Sequence, residues 1–301
     1  LCSMKGPKTN RFLLLLHEDP DLFREAINFT AAETHFLPRL IEKDYFCTAL
    51  LSCLVPVDER LVFKGGTCLA KVHAGFYRLS EDLDFVISMP VAASRSSRSR
   101  SVSAIKEALV LLPDDFRAFR LVKPLTGANN STQYIAVVAY KSLLADQEEI
   151  VKIEIGLREP LIKPVFEGSA QTILINPVSG KPMVQPVPVP CITFDEGMAE
   201  KFRAALTRRE VAARDFFDID YAVHRKGLNP TDSTFIRLIQ QKLAIPGNDP
   251  VDLSDARMAL LKRQINSHLR TVLRPRDFDG FSLERAMKLI TDVATRLGEG
   301  S

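Results

Sequence analysis

Asp82 and Asp84 stand two residues apart in Arg78-Leu79-Ser80-Glu81-Asp82-Leu83-Asp84-Phe85, shortly after Phe63-Lys64-Gly65-Gly66-Thr67-Cys68. On a strand this spacing sets both carboxylates on one face, with Leu83 and Phe85 packed behind. Two acids fixed side by side suit a core poorly unless a cation sits between them. Mg²⁺ is typically held by one or two carboxylates together with substrate phosphates. Gly65 and Gly66 let the backbone turn tightly and present its N–H groups to an anion. A helix beginning near Thr67 adds its N-terminus, and the Thr67 hydroxyl adds a donor. The chemistry in view is that of a metal–triphosphate site.

These residues need a frame. Arg60-Leu61-Val62-Phe63 reads as a strand feeding the glycine turn, and a second short strand carries the two aspartates. The segments 117–123, 133–140 and 149–156 alternate as strands do. In the last, Val151, Ile153 and Ile155 share one face, and Lys152 and Glu154 share the other. A strand with an acid on its polar face is the expected neighbour of the aspartate strand, so Glu154 is the candidate third carboxylate. Its bland alternative is a surface charge paired to Lys152. Glycine turn, Asp-x-Asp strand and third acid together are the layout for nucleotidyl transfer. In that reaction a hydroxyl attacks the α-phosphate and pyrophosphate leaves.

Composition excludes several classes. The chain has 301 residues, 46% apolar and 26% charged, long enough for two domains. A net charge of +3 gives no global basic field, so nucleic-acid binding would need a local patch. The five cysteines, Cys2, Cys47, Cys53, Cys68 and Cys191, form no CxxC pair; this fits a reducing cytoplasm and no structural zinc. The apolar run from Phe12 to Leu16 is too short to span a membrane, and Glu18, Asp19 and Asp21 follow it at once. The histidines show no metal-ligand spacing, and there is neither a Walker loop nor a hydrolase elbow.

Along the chain, residues 11–55 read as helices, with Thr30 and Glu33 as a capping box and Glu42-Lys43-Asp44 as a solvated face. The Ser/Arg-rich residues 91–103 read as a solvated loop, and 103–112 as a helix. The prolines at 177, 182, 186, 188 and 190 mark an extended boundary. Beyond it helices are predicted at 195–207, 210–226, 231–245, 252–269 and 281–297, with Gly227 as a C-cap. The expected domains are 11–190, a mixed sheet flanked by helices, and 191–301, all helical.

The wording of these stretches goes further than their spacing. Lys64-Gly65-Gly66-Thr67-x-Leu69-x-Lys71 followed by Arg78-x-Ser80-Glu81-Asp82-Leu83-Asp84-Phe85 closely resembles the AbiEii-like nucleotidyltransferase toxins of AbiE-type toxin–antitoxin systems. The resemblance recurs in Ile41-Glu42-Lys43-Asp44-Tyr45, in Ala199-Glu200-Lys201-Phe202-Arg203-Ala204 and in Arg214-Asp215-Phe216-Phe217-Asp218-Ile219. It implies an α+β fold: a nucleotidyltransferase lobe like that of DNA polymerase β, then a helical lobe. It implies use of an NTP with Mg²⁺, an RNA acceptor such as the 3′ end of tRNA, inhibition of translation, and a cognate antitoxin of AbiEi-like type. Carried over by motif, Lys64, Gly65, Gly66, Thr67, Arg78 and Ser80 form the nucleotide-binding set. Asp82, Asp84 and Glu154 form the metal set. Lys201 matches the family's active-site lysine, and Asp215 its late aspartate, with Asp218 as a rival. The bland reading of Lys201 and Asp215 is an interhelix salt bridge.

Two other readings are kept open. One is a transferase of the same fold that modifies a protein or a small molecule such as an antibiotic; Arg203, Arg208, Arg209 and Arg214 favour an acceptor with phosphates instead. The other is a catalytically silent binding module, against which the three carboxylates argue.

Overall fold

In a computed structural model of the chain, residues 15–299 are described. Cys2 and the start of the expected first domain, residues 11–14, lie outside them. The chain divides into two compact units. The first runs to residue 161 and includes 165–192; the second comprises 162–164 and the residues from 193 onward.

The first unit is built on a mixed sheet. Its strands are β1 (Val62–Lys64), β2 (Leu83–Val86), β3 (Phe119–Ala128), β4 (Gln133–Lys141), β5 (Glu148–Gly156), β6 (Phe166–Ala170) and β7 (Val187–Cys191). They lie in the order β3-β4-β5-β2-β1-β7-β6. β2 and β1 are therefore central, where pairing on both sides fixes register. β1 runs antiparallel to β2 and parallel to β7, while β2 runs parallel to β5. The helices are α1 (Pro20–Thr34), α2 (Pro38–Leu54), the single turn α3 (Gly65–Cys68), α4 (Arg95–Ser101) and α5 (Ser103–Asp115). Phe63 and Phe85 meet beneath the central pair, and Phe46 of α2 stacks on Tyr140 of β4 with centroids 3.9 Å apart. This is the mixed sheet with flanking helices expected for the first domain.

Four local expectations are corrected. Thr30 does not cap a helix: it lies inside α1, buried, and its hydroxyl accepts from the Ile175 N–H. The cap of α1 is Asp19, with Pro20 at the first helical position. Glu42, Lys43 and Asp44 are not a solvated face; all three are buried, because chain from beyond β4 and β6 closes over that side of α2. Each has partners, as buried charges must. Glu42 accepts from the Ser142 hydroxyl and the Leu143 N–H, both at 2.7 Å. Asp44 pairs with buried Lys71 at 2.5 Å and accepts from the Thr172 hydroxyl and the Ile173 N–H. Residues 95–101 form α4 rather than loop, with Ser94 as N-cap and the buried Arg98 donating to the Val91 carbonyl. The proline-rich stretch ends inside the sheet, as β7. Backbone N–H groups alternate in direction along a strand, so Pro188 and Pro190 forgo donors on the same side.

The second unit contains α6 (Phe194–Thr207), α7 (Ala213–Lys226), α8 (Ser233–Leu243), α9 (Asp255–Gln264), α10 (Pro275–Asp279) and α11 (Leu283–Glu299). Gly227 adopts the left-handed conformation that ends α7, as predicted. Arg257 donates to the carbonyls of Ala205 and Arg208, closing the C-terminal end of α6. Lys242, wholly buried, pairs with Glu196 at 2.7 Å and Glu200 at 3.1 Å. Among the described residues no helix is long and apolar enough to cross a membrane.

Candidate active site

β1 delivers the chain to Gly65, whose φ of +76° lies in the left-handed region that glycine enters without strain. The adjacent strand makes glycine obligatory there, since a Cβ on Gly65 would overlap the Asp84 carboxylate. A Cβ on Gly66 would collide with the Arg78 guanidinium and approach the Ser80 hydroxyl to 3.2 Å. The turn thus packs against the aspartate segment from Arg78 to Asp84, which brings the predicted nucleotide-binding residues together.

Two of those residues serve the scaffold. The Thr67 hydroxyl, expected to face a phosphate, donates to the Asp82 carbonyl, and Thr67 is buried. Arg78 is buried too; it donates to the Leu79 carbonyl at 3.2 Å and lies over the Tyr77 ring. Thr67 ties the glycine turn to the aspartate segment by a hydrogen bond, and Arg78 packs against Gly66.

Asp82 immediately precedes β2, so the expected two-aspartate strand carries only Asp84 within its ladder. Asp84 is opposite Lys64 on β1 and opposite Glu154 on β5. The adjacency inferred for Glu154 from its alternation is therefore present. Its bland alternative is present as well: Lys152 lies 3.2 Å from Glu154. Burial, then the charges of Glu154 and Asp82, push the Asp84 carboxyl up to about 6, against the opposing pull of Lys64 and Lys152. Burial works to lower the Lys152 ammonium, but Glu154, Asp82 and Asp84 outweigh it and hold the group above its ordinary range. The three acids thus share one electrostatic environment.

That donor set fits a hard divalent cation. It offers carboxylate oxygens on neighbouring elements, with repulsion among them that a cation would relieve. The three are spread more openly than a closed cage, since their oxygens do not all lie within 4.8 Å of one another. Mg²⁺ commonly completes such a set with water and phosphate oxygens.

The aspartate segment is anchored from behind. Glu81 receives Arg39 at 2.9 Å and Lys43 at 3.2 Å, both from α2. Burial raises the Glu81 carboxyl, yet Lys43 and Arg39 outweigh it and hold the group below its ordinary value. Glu149 at the start of β5 shares both cations, at 3.5 and 3.8 Å. One cationic pair on α2 therefore fixes the approach to β2 and to β5 together. Sequence reasoning missed this role; the signal was a charged triplet inside an otherwise apolar helix.

In the second unit Lys201 on α6 meets Asp215 at 2.7 Å and Asp218 at 2.9 Å on α7. Both rivals for the late aspartate therefore contact the same lysine. Arg208 adds a second cation to Asp215 at 3.2 Å. The interhelix ion pair is present in the structure.

One cluster was not foreseen. Cys68, at the end of α3, meets Cys191, at the end of β7, and His73. Nothing in the spacing pointed to it, because β7 reaches β1 only through the sheet order.

The family model described as nucleotidyl transferase AbiEii toxin, type IV TA system, matches residues 49–285. No curated protein matches the sequence. Among solved structures, JHP933 from Helicobacter pylori is 16% identical, with 88% of this chain and 96% of that chain covered and a TM-score of 0.50. MenT4, a nucleotidyltransferase toxin from Mycobacterium tuberculosis H37Rv, is 18% identical, with 85% and 92% covered and a TM-score of 0.46. At 16% identity the likeness to JHP933 is one of fold alone. The family match runs from α2 into α11 and takes in the glycine turn, all three carboxylates and the Lys201 ion pair, so this chain belongs to the AbiEii nucleotidyltransferase toxin family.

Proposed function

We propose that the protein transfers a nucleotide from an NTP to an RNA acceptor, with tRNA as the RNA and Mg²⁺ as the cofactor, acting in the cytoplasm to stop translation. Membership of the family already makes it a toxin nucleotidyltransferase with an NTP substrate and an antitoxin counterpart. The observation that supports the Mg²⁺ part of this reading is the register of Asp84 opposite Glu154, with Asp82 one step before β2.

In this reading the backbone N–H groups of the Gly65–Gly66 turn hold the β- and γ-phosphates. Lys64 places a cation beside Asp84 and the turn. Asp82, Asp84 and Glu154 would hold Mg²⁺, which when bound neutralises phosphate charge and activates the acceptor hydroxyl. Arg78 and Thr67 keep the turn and the carboxylates in fixed relation. The chain's contribution is chiefly positioning and charge, as phosphoryl chemistry requires. Support for an acceptor with phosphates comes from the basic residues around the end of α6 and the start of α7: Arg203, Arg208, Arg209 and Arg214.

The test is incubation of the protein with Mg²⁺, total tRNA and each labelled NTP in turn. Label on RNA with one NTP preferred supports the proposal. Label on protein, or on a small molecule, points to a different acceptor and contradicts it.

A further inference from the structure

Cys68, His73 and Cys191 each bring one ligand-type atom to a common point, all within 4.8 Å of one another. They are the one such set of three or more His, Cys, Asp or Glu residues among the described residues. Neither cysteine is in a disulfide, and both are buried. The sheet brings them together: β7 runs beside β1 with Cys191 opposite Phe63, and Cys68 follows Phe63 through the glycine turn.

The surroundings are those of a ligand site. His73 has Nε2 2.9 Å from the Ile192 carbonyl. Donation there fixes the orientation of the ring, the support that metal-bound histidines use. Gly168 lets β6 pack closely against the cluster, since a Cβ there would stand 2.7 Å from Val72 and 2.8 Å from the Cys191 sulfur. His73 is only half-buried, which gives an approach from solvent.

We propose that Cys68, His73 and Cys191 bind one Zn²⁺, with water in the fourth position. Two sulfurs and an imidazole suit zinc, whereas the all-oxygen set of Asp82, Asp84 and Glu154 suits Mg²⁺. Binding displaces the thiol protons to solvent and leaves two thiolates on the metal. The ion joins the end of α3 to β7 and so clamps the segment that follows the glycine turn. The site is independent of the transfer reaction and stands whether or not RNA is the acceptor.

The experiment titrates the full-length protein, kept reduced with a phosphine and freed of metal, first with Co²⁺ and then with Zn²⁺. One equivalent of Co²⁺ is expected to give a sulfur-to-cobalt charge-transfer band and the visible bands of a tetrahedral site, both bleached by Zn²⁺. Cys68→Ser and Cys191→Ser, each checked for folding by circular dichroism, are expected to weaken binding by roughly 100-fold or more. His73→Gln is expected to weaken it with the thiolate band retained, and Cys53→Ser to leave it unchanged. Absence of the thiolate band in the wild type would overturn the proposal. So would a band that persists in folded Cys68→Ser and Cys191→Ser proteins.

Discussion

Asp84 on β2 and Glu154 on β5 face each other in register across a parallel strand pair, so two carboxylates occupy neighbouring positions in the middle of a sheet. With Asp82 beside them, repulsion and burial raise the Asp84 carboxyl to about 6. An arrangement that opposes its own ionisation is a poor structural device and a good cation site.

Removing the Asp84 charge should therefore separate stability from activity. Asp84→Asn is expected to raise the melting temperature of the metal-free protein by about 2–4 °C near neutral pH. It should lower nucleotidyl transfer by roughly 1000-fold or more. Differential scanning fluorimetry beside a transfer assay checks both.

The same group fixes a pH dependence. Its folded-state pKa of about 6 is above its ordinary 3.8, so the folded chain favours the protonated form. That stability is fully present below the ordinary value and is lost as pH rises through about 6. Mg²⁺ competes with the proton, so its stabilising shift should be small near about pH 5 and large near about pH 7.5. Melting curves with and without Mg²⁺ across this range test the sign, and Asp84→Asn should flatten the difference.

Gly65→Ala combines a left-handed φ with overlap on the Asp84 carboxylate. Expected costs are about 1–3 kcal/mol in stability and at least about 100-fold in transfer. Chemical denaturation and initial rates measure them. Gly180→Ala also changes a glycine at positive φ but has open space around its Cβ position, so it should leave transfer near wild type.

Glu81 anchors the aspartate segment to Arg39 and Lys43. Lys43→Met leaves Glu81 and Glu149 with a single shared cation, and should cost about 1–3 kcal/mol. It should lower kcat more than it raises KM for the NTP, since it displaces carboxylates rather than a phosphate contact. Steady-state kinetics on the folded variant tests the split.

Lys201 holds two buried carboxylates, and Lys201→Met leaves Asp215 with Arg208 alone and takes the lysine from Asp218 as well. A loss of about 3–5 kcal/mol is expected. Adding Asp218→Asn should recover part of it in denaturant melts. Activity that stays low in the stabilised double variant would assign Lys201 a role in the reaction beyond the ion pair.

The sheet and the site were legible in the sequence to different depths. The alternation of Val151, Ile153 and Ile155 placed Glu154 on a polar strand face. The glycine pair and Asp82/Asp84 announced their own chemistry. What stayed hidden depended on long-range closure. Glu42, Lys43 and Asp44 look like surface charges until residues 142–143 and 171–173 cover them. Thr67 reads as a phosphate donor until its hydroxyl is found on the Asp82 carbonyl. Pro188 and Pro190 conceal β7, because strand propensity counts proline against any strand and cannot see which side lacks a neighbour's acceptors. With β7 hidden, the meeting of Cys191 with Cys68 and His73 was hidden too.

The most direct measurement is label transfer from NTP to RNA by the wild type, Asp82→Ala and Asp84→Ala proteins at equal Mg²⁺ and equal folded concentration. The account predicts labelled RNA from the wild type and none above background from either variant. Transfer to RNA that persists at wild-type rate in a folded Asp84→Ala protein would contradict it.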